Sequence, residues 1–340
     1  MHSNQPTTPF PSPMRPAFTF IDLFAGVGGF RMALQRLGGS CEFSSEWNPK
    51  AQQTYLSNYG DIPYGDITLT ETKAHIPAQF DILCGGFPCQ AFSIAGHRKG
   101  FQETRGTLFF DVAEIARKHR PKVIFLENVK NLLTHDDGNT FQVICNTLQE
   151  LGYQISYEVL NSMTHANIPQ NRERIFIVAF DPAQVAYCHE FRFPEAIPLT
   201  RTIHDCLEKN RVDAKYYYPP EHKYHAKMAE GVVSRETVYQ WRRIYVRENK
   251  SRVCPTLTAN MGSGGHNVPL VKDAYGIRKL TPKECFAFQG YPVAQMRFPT
   301  KMSNSSLYIQ AGNSVTMPLI QRIGEQILKV LQKQTHKKAG

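Results

Sequence analysis

The segment Phe18-Thr19-Phe20-Ile21-Asp22-Leu23-Phe24, followed at once by Ala25-Gly26-Val27-Gly28-Gly29, limits what this chain can fold into more than any other feature. An apolar run rich in β-forming side chains predicts a strand, and the glycines predict a tight turn at its carboxyl end. Phe30, Ala33, Leu34 and Leu37 then recur at helical spacing until Gly38-Gly39 stops the helix. A strand turned straight into a helix is half of a parallel unit, and the chain repeats it. Strands are predicted at Cys41–Ser45, Phe80–Cys84, Lys122–Glu127, Tyr153–Leu160 and Arg174–Phe180, and helices at Lys50–Tyr59, Leu108–Lys118 and Phe141–Leu151. Such alternation implies an α/β fold with a mostly parallel sheet. Ligands bind these sheets beyond the carboxyl ends of the strands, where Gly26, Glu46, Gly85 and Glu127 all fall.

The alternation stops near Asp181. From Phe191 to Tyr275 the chain is rich in Tyr, Arg, Lys, His and Pro and has little helical periodicity, which predicts a second, irregular domain. Within it Arg242, Arg243, Arg247, Lys250 and Arg252 interleave with Tyr239, Trp241 and Tyr245, a pattern suited to phosphate contact and base stacking. A solvated face explains that segment equally well when it is taken alone. Helical spacing returns in Leu319, Ile320, Ile323, Ile327, Leu328 and Leu331, predicting a last helix that packs back on the first domain. The excess of Lys and Arg over Asp and Glu, 39 against 29, gives a net charge of +10 and favours a polyanionic partner. No apolar run approaches the roughly 18 residues that span a bilayer. The proline-rich residues 1–17 read as a disordered leader. The eight cysteines are scattered without a repeated CxxC spacing, which argues against a zinc site or a disulfide framework and for a reducing compartment.

Arg31 stands where the dinucleotide fingerprint needs a third small residue, so a pyrophosphate cradle and a nicotinamide dehydrogenase are disfavoured. Glu46, twenty residues after Gly26, ends the second strand where a carboxylate can accept from both ribose hydroxyls, and Trp47 beside it can cover an adenine. Together they suggest a nucleoside cofactor without a pyrophosphate, such as S-adenosylmethionine, although a tight turn and a surface Glu-Trp pair account for the same residues. Gly85-Gly86-Phe87-Pro88-Cys89-Gln90 puts a cysteine in a Gly/Pro-bounded loop, where an exposed thiol is available as a nucleophile. His97 and Arg98 leave an ordinary thiol hydrolase open. Glu127 is directed at the same rim. Arg172 and Arg174 at the start of a strand are expected to diverge, one toward the site and one toward a phosphate, with a plain ion pair to Glu173 as the simpler alternative.

The order of these motifs is more specific than any one of them. Asp22-Leu23-Phe24-Ala25-Gly26-Val27-Gly28-Gly29, Glu46-Trp47, Gly65-Asp66-Ile67, Gly86-Phe87-Pro88-Cys89-Gln90, Glu127-Asn128-Val129, Gln170-Asn171-Arg172-Glu173-Arg174 and Gln310-Ala311-Gly312-Asn313-Ser314-Val315 together resemble the cytosine-5 DNA methyltransferases of bacterial restriction-modification systems. The likeness spans Phe18 to Phe180 and Ile277 to Leu328 and is absent from Asp181 to Tyr275. It implies a Rossmann-like S-adenosylmethionine-dependent methyltransferase domain, residues 18–190 and 304–340, with a smaller, irregular target-recognition domain, residues 191–303.

The resemblance also implies roles. Cys89 would add to carbon 6 of a cytosine swung out of duplex DNA, Glu127 would bind and protonate ring nitrogen 3, Arg174 would hold the base oxygen, and Arg172 would lie nearer the phosphate. Phe24, Gly26 and Gly28 would surround the methionine portion of the cofactor, Glu46 the ribose, and Trp47, Asp66 and Ile67 the adenine, with Pro88, Leu108 and Asn313 nearby. The loop holding Ser93, His97, Arg98 and Lys99 would close on DNA, and Arg242, Arg243, Thr256 and Thr258 are candidates for reading it. The expected partners are double-stranded DNA and, functionally, a cognate restriction endonuclease, with no metal and no membrane. A cytoplasmic, nucleoid-associated monomer is expected. A tRNA cytosine-5 methyltransferase and a non-catalytic DNA-binding regulator are the alternatives.

Overall fold

The computed structural model of the chain describes residues 8–88, 108–242, 244–264 and 267–338. These form two compact units: residues up to Leu160 with Glu173–Pro194 and the chain from Ile320 onward, and Asn161–Arg172 with Glu195–Leu319. Compactness thus divides the chain at other points than the expected boundaries near residues 190 and 304. Two stretches of the motif-bearing sequence, around Gln170 and Gln310, are held by backbone and amide contacts inside the second unit.

The first unit is built on a six-stranded sheet of order β2-β1-β3-β4-β7-β5. Its strands are β1 (Phe18–Leu23), β2 (Gly39–Ser45), β3 (Ile82–Gly86), β4 (Val123–Val129), β5 (Gln154–Asn161) and β7 (Glu173–Phe180). Strands β2, β1, β3 and β4 are mutually parallel, and β7 runs antiparallel to β4. Helices α1 (Gly29–Arg36), α2 (Pro49–Tyr59), α3 (Thr70–Lys73), α4 (Leu108–His119) and α5 (Asn139–Glu150) make the crossovers and turns. Strands β1, β3, β4 and β7 are mostly buried on both faces, which is why they read as near-continuous apolar runs. Ile21, Leu83, Ile124 and Ile177 pack with Val112, Ile115, Ile144 and Leu148 of α4 and α5. On the other face the Phe30 and Phe125 rings meet edge to face, 5.1 Å apart.

Helix α2 shows how locally these elements are dictated. The Asn48 side chain accepts from Lys50 N and Ala51 N, Pro49 opens the helix, and Gly60 ends it at φ 86°. The expected disordered leader is contradicted where the chain is described. The Phe10 N–H donates to Asn58 O at 3.2 Å, the Ala17 N–H to Gly38 O at 2.9 Å, and the Phe10 and Tyr59 rings lie 6.0 Å apart. One aromatic ring and backbone hydrogen bonds suffice to seat this proline-rich segment.

The second unit holds β6 (Gln170–Asn171) paired with β10 (Cys254–Pro255), and a four-stranded sheet of order β12-β11-β8-β9. That sheet comprises β8 (Tyr239–Arg242), β9 (Tyr245–Glu248), β11 (Leu270–Lys272) and β12 (Ile277–Lys279). Its pairings are antiparallel, over a core of Met228, Val232, Tyr239, Trp241, Leu270 and Ile277. Strands of three or four residues are too short to display a period of two, so an irregular domain was expected where a small sheet stands. The unit also holds α6 (Ser162–His165), α7 (His225–Gly231), α8 (Pro282–Ala287) and α9 (Asn304–Asn313). The last helix, α10 (Met317–Lys338), contributes Ile320, Ile323, Ile327 and Val330 to the first unit's core. No helix among the described residues is long and apolar enough to cross a membrane.

Candidate functional site

The register of the parallel strands brings the motif residues of the first unit to one edge. Leu23 pairs with Ser45 on one side and with Gly85 on the other, and Gly86 pairs with Glu127. Phe24, Glu46, Phe87 and Glu127 therefore emerge at the same carboxyl rim. The turn after β1 is tightly fixed, since the Ala25 N–H donates to Ser45 O at 2.8 Å and the Gly28 N–H to Ala25 O at 2.7 Å. Phe24 adopts φ 57°, costly for a residue with a side chain, beside Gly26 at φ 55°. The space above Gly26 is open: a Cβ there would meet only Phe24 O, 4.0 Å away.

Glu46 is the polar centre of this rim. Its Oε2 accepts the Gly26 N–H and its Oε1 the Asn48 N–H, each at 2.8 Å, while its own N–H donates to Tyr64 O at 2.8 Å. Each carboxylate oxygen keeps a lone pair for a hydroxyl donor. Burial raises its carboxyl above the ordinary range, against the backbone N–H groups of Asn48 and Gly26, which favour the charged form. Next to it the Trp47 ring is 75% exposed, a free aromatic face. The Ser45 hydroxyl on the other side is buried with no hydrogen-bond partner among the described residues, so polar capacity is left open at the end of β2. Asp66 Oδ1 takes the Thr68 N–H at 2.9 Å, and Ile67 is buried beside it. An open glycine, a doubly anchored carboxylate, an orphan hydroxyl and an exposed indole fit a ribose and a purine.

Glu127 and Arg174 are brought together. Arg174 lies opposite Val129 in the antiparallel ladder, so Glu127, two residues from Val129 and on its face, is its diagonal neighbour. Arg174 Nε stands 3.1 Å from Glu127 Oε1, and both side chains are mostly buried. A guanidinium held beside a carboxylate offers a donor and an acceptor side by side, the pattern of a pyrimidine edge. Asn128, which the sequence reading passed over, donates its Nδ2 to Phe87 O at 2.9 Å and accepts the Val129 N–H at 2.7 Å. It ties the end of β4 to the backbone that leads through Pro88 toward residue 89. A buried amide inside an apolar strand was the signal that could have found it. Cys89, Ser93, His97, Arg98, Lys99 and Arg243 lie outside the described residues. Leu108, the next residue described after them, is half-buried against the first unit's core.

Arg172 and Arg174 stand in different surroundings. Residues two apart on one strand would share a face, but the ladder breaks between β6 and β7, and Arg172 belongs to the second unit while Arg174 belongs to the first. Only 2% exposed, Arg172 donates to Leu257 O and Ser314 O at 2.8 Å and to Gly312 O at 3.3 Å. Two of its guanidinium nitrogens are bonded to backbone carbonyls. Gln170 beside it gives its amide to Phe288 O at 2.6 Å and accepts the Leu257 N–H at 3.0 Å. Thr256 donates its hydroxyl to Asn171 O at 2.7 Å, whereas Thr258, Asn313 and Arg242 are exposed. At the β8–β9 connection Ile244 is 75% and Tyr245 57% exposed, and of these two only Tyr245 belongs to the basic and aromatic stretch read from the sequence. Among the described residues no group of His, Cys, Asp or Glu side chains is arranged to hold a metal ion.

The family model described as C-5 cytosine-specific DNA methylase matches residues 18–329. The Type II methyltransferase M.Bsp6I of Bacillus sp. (strain RFL6) is 49% identical over 311 residues, covering 90% of this chain and 97% of its own. M.HpaII of Haemophilus parainfluenzae is 45% identical, with 94% and 91% covered, and M.HhaI of Haemophilus parahaemolyticus is 41% identical, with 91% and 93% covered. Among solved structures, the S. pombe Dnmt2 methyltransferase superposes with a TM-score of 0.68 at 17% identity, covering 92% of this chain and 99% of that one, a likeness of fold.

Proposed function

Because the chain belongs to the C-5 cytosine-specific DNA methylase family, we propose that the rim of its first unit is the catalytic and methyl-donor site and that its second unit reads DNA. The protein is a DNA cytosine-5 methyltransferase of the restriction-modification type. The observation that supports this assignment of the site best is the Arg174–Glu127 pair, held 3.1 Å apart where β4 ends and β7 begins and tied through Asn128 to the backbone entering the Cys89 segment.

Carbon 5 of cytosine is a poor nucleophile until carbon 6 carries a new bond. The Cys89 thiolate forms that bond, and the electron pair displaced toward ring nitrogen 3 is accepted as Glu127 delivers its proton there. Arg174 donates to the base oxygen and fixes Glu127 in line with the ring. After carbon 5 has taken the methyl group, its proton passes to a base, a water or a side chain, the cysteine sulfur leaves as thiolate, and ring nitrogen 3 returns its proton to Glu127, which restores the neutral aromatic base. Glu46 accepts the donor's ribose hydroxyls, Trp47 covers its purine, Asp66 and Ile67 bound the purine's edge, and the open face of Gly26 admits the amino-acid portion. S-adenosylmethionine supplies the electrophilic methyl group when bound. Asn313 and Pro88 are assigned to the same donor site by the motif order alone. Arg242 and Thr258, exposed in the second unit, are proposed contacts to duplex DNA, whose target base is unstacked at a cost of a few kcal/mol. Action as a cytoplasmic monomer beside a cognate endonuclease completes the reading.

Incubation with unmethylated plasmid and a tritiated-methyl donor tests it. Digestion to nucleosides should place all label in 5-methyldeoxycytidine, with none in RNA transcribed from the same plasmid. Label in RNA, or in a different base, would overturn the assignment.

A further inference from the structure

Tyr59, the last residue of α2, is buried behind the glycine turn. Its hydroxyl donates to Gly28 O at 2.7 Å. The same oxygen already accepts the Met32 N–H, the first turn of α1, at 2.9 Å. The hydroxyl is therefore not needed to satisfy a buried acceptor, and what it adds is direction. The ring also fills the volume a side chain at position 28 would need: a Cβ on Gly28 would lie 2.4 Å from Cε2 of Tyr59. With φ 82° at Gly28 and φ 55° at Gly26, the turn has backbone freedom on both counts, and it is closed on one side and open on the other. Tyr59 shuts the Gly28 side, and the Gly26 side faces the open space.

Tyr59 is itself clamped. The Arg31 guanidinium lies 4.6 Å from its ring centroid, the Tyr55 ring 4.6 Å away and the Phe10 ring 6.0 Å away. Arg31 is only 3% exposed and is held by Asp61 at 2.7 Å and by the Tyr55 hydroxyl at 2.9 Å. The Phe10 segment is anchored in turn, because Gln35 Nε2 donates to Phe10 O at 3.3 Å and to Pro11 O at 3.0 Å. A chain of contacts thus runs from residues 10 and 11 through Tyr59 to the carbonyl of Gly28, on the side of the turn away from its open face.

We infer that Tyr59 is a positioning residue for methyl-donor binding, and that the Phe10 segment sets donor affinity through it. This rests on the assignment of the Glu46 rim as the donor site. An orienting hydrogen bond between neutral groups, lost without loss of the fold, weakens donor binding by about 3- to 10-fold.

Calorimetric titration of the full chain with S-adenosylmethionine, alongside steady-state assays, tests it. Tyr59→Phe should raise Kd and KM for the donor by that factor while kcat at saturating donor and KM for DNA hold. A residue serving the fold alone would lower the melting temperature without splitting KM from kcat. Phe10→Ala should shift donor affinity the same way by less, and should have no further effect in the Tyr59→Phe background. Glu46→Gln is the reference. Lost affinity in Glu46→Gln with unchanged affinity in Tyr59→Phe overturns the inference and leaves the site assignment standing. Unchanged affinity in both removes the site assignment, and the inference with it.

Discussion

At the carboxyl rim of the first unit, Phe24, Glu46, Phe87 and Glu127 stand at or next to strand ends, and Glu46 is anchored by Asn48 two residues away and Gly26 twenty away. In the second unit Gln170 is held by Leu257 and Phe288, which are 87 and 118 positions distant. Both regions are polar and buried, yet the first is assembled from strand ends and the second from side-chain amides reaching across the fold. Strand ends place chemistry wherever a parallel sheet forms, so the rim tolerates change around it. A scaffold of distant amide bonds holds the second unit together without long strands.

The largest effect that would sharpen this contrast is at the rim. Glu127→Gln should lower turnover by about 10²–10⁴-fold with DNA and donor binding retained, as loss of an acid-base group does. A near-normal rate would take Glu127 out of the mechanism. In the second unit, Arg172→Met should act on folding, because each buried carbonyl left without its donor costs about 1–3 kcal/mol. Melting curves should show a loss of several degrees with an unchanged salt dependence of DNA binding; the reverse pattern would restore Arg172 to the phosphate. The rim should also respond to acid. Burial holds the Glu46 carboxyl above the usual carboxylate range, and only its ionised form accepts two hydroxyls well. Donor affinity should therefore fall as pH drops through the raised Glu46 pKa, with a midpoint above that of an exposed glutamate and about tenfold lost per unit below it. Glu46→Gln should abolish this limb. The smallest effect is at the exposed hairpin, where Arg242→Ala should reduce the log-log salt slope of DNA binding by about 0.9 if it meets one phosphate. An unchanged slope would remove Arg242 from the interface.

The sheet was legible because strands buried on both faces are written as apolar runs: the strand expected at Lys122–Glu127 is β4, Val123–Val129, and the helix expected at Leu108–Lys118 is α4. Glu46 was legible because its place depends only on where β2 stops. The antiparallel entry of β7 was not, since periodicity carries no direction. The bonds of Arg172 to the carbonyls at positions 257, 312 and 314 were not legible either, because a pattern of side chains says nothing about which carbonyls lack donors. Tyr59 was hidden in the same way, its hydrogen bond ending on the carbonyl of a glycine whose significance seemed to lie in the glycine itself.

The central claim is that Cys89 attacks the cytosine that Glu127 and Arg174 hold. Once carbon 5 has taken the methyl group, the sulfur bond at carbon 6 is released only by elimination with loss of the other carbon 5 substituent, and fluorine cannot leave as a cation. Duplex DNA carrying 5-fluorocytosine at the target, with S-adenosylmethionine present, should give a covalent complex that survives denaturing electrophoresis and maps by mass spectrometry to the peptide containing Cys89. Cys89→Ser replaces a thiol of pKa about 8.5 by a hydroxyl that is almost never ionised, so the complex should vanish while DNA binding remains. A complex that persists in Cys89→Ser, or that maps to the buried Cys84, would contradict the account.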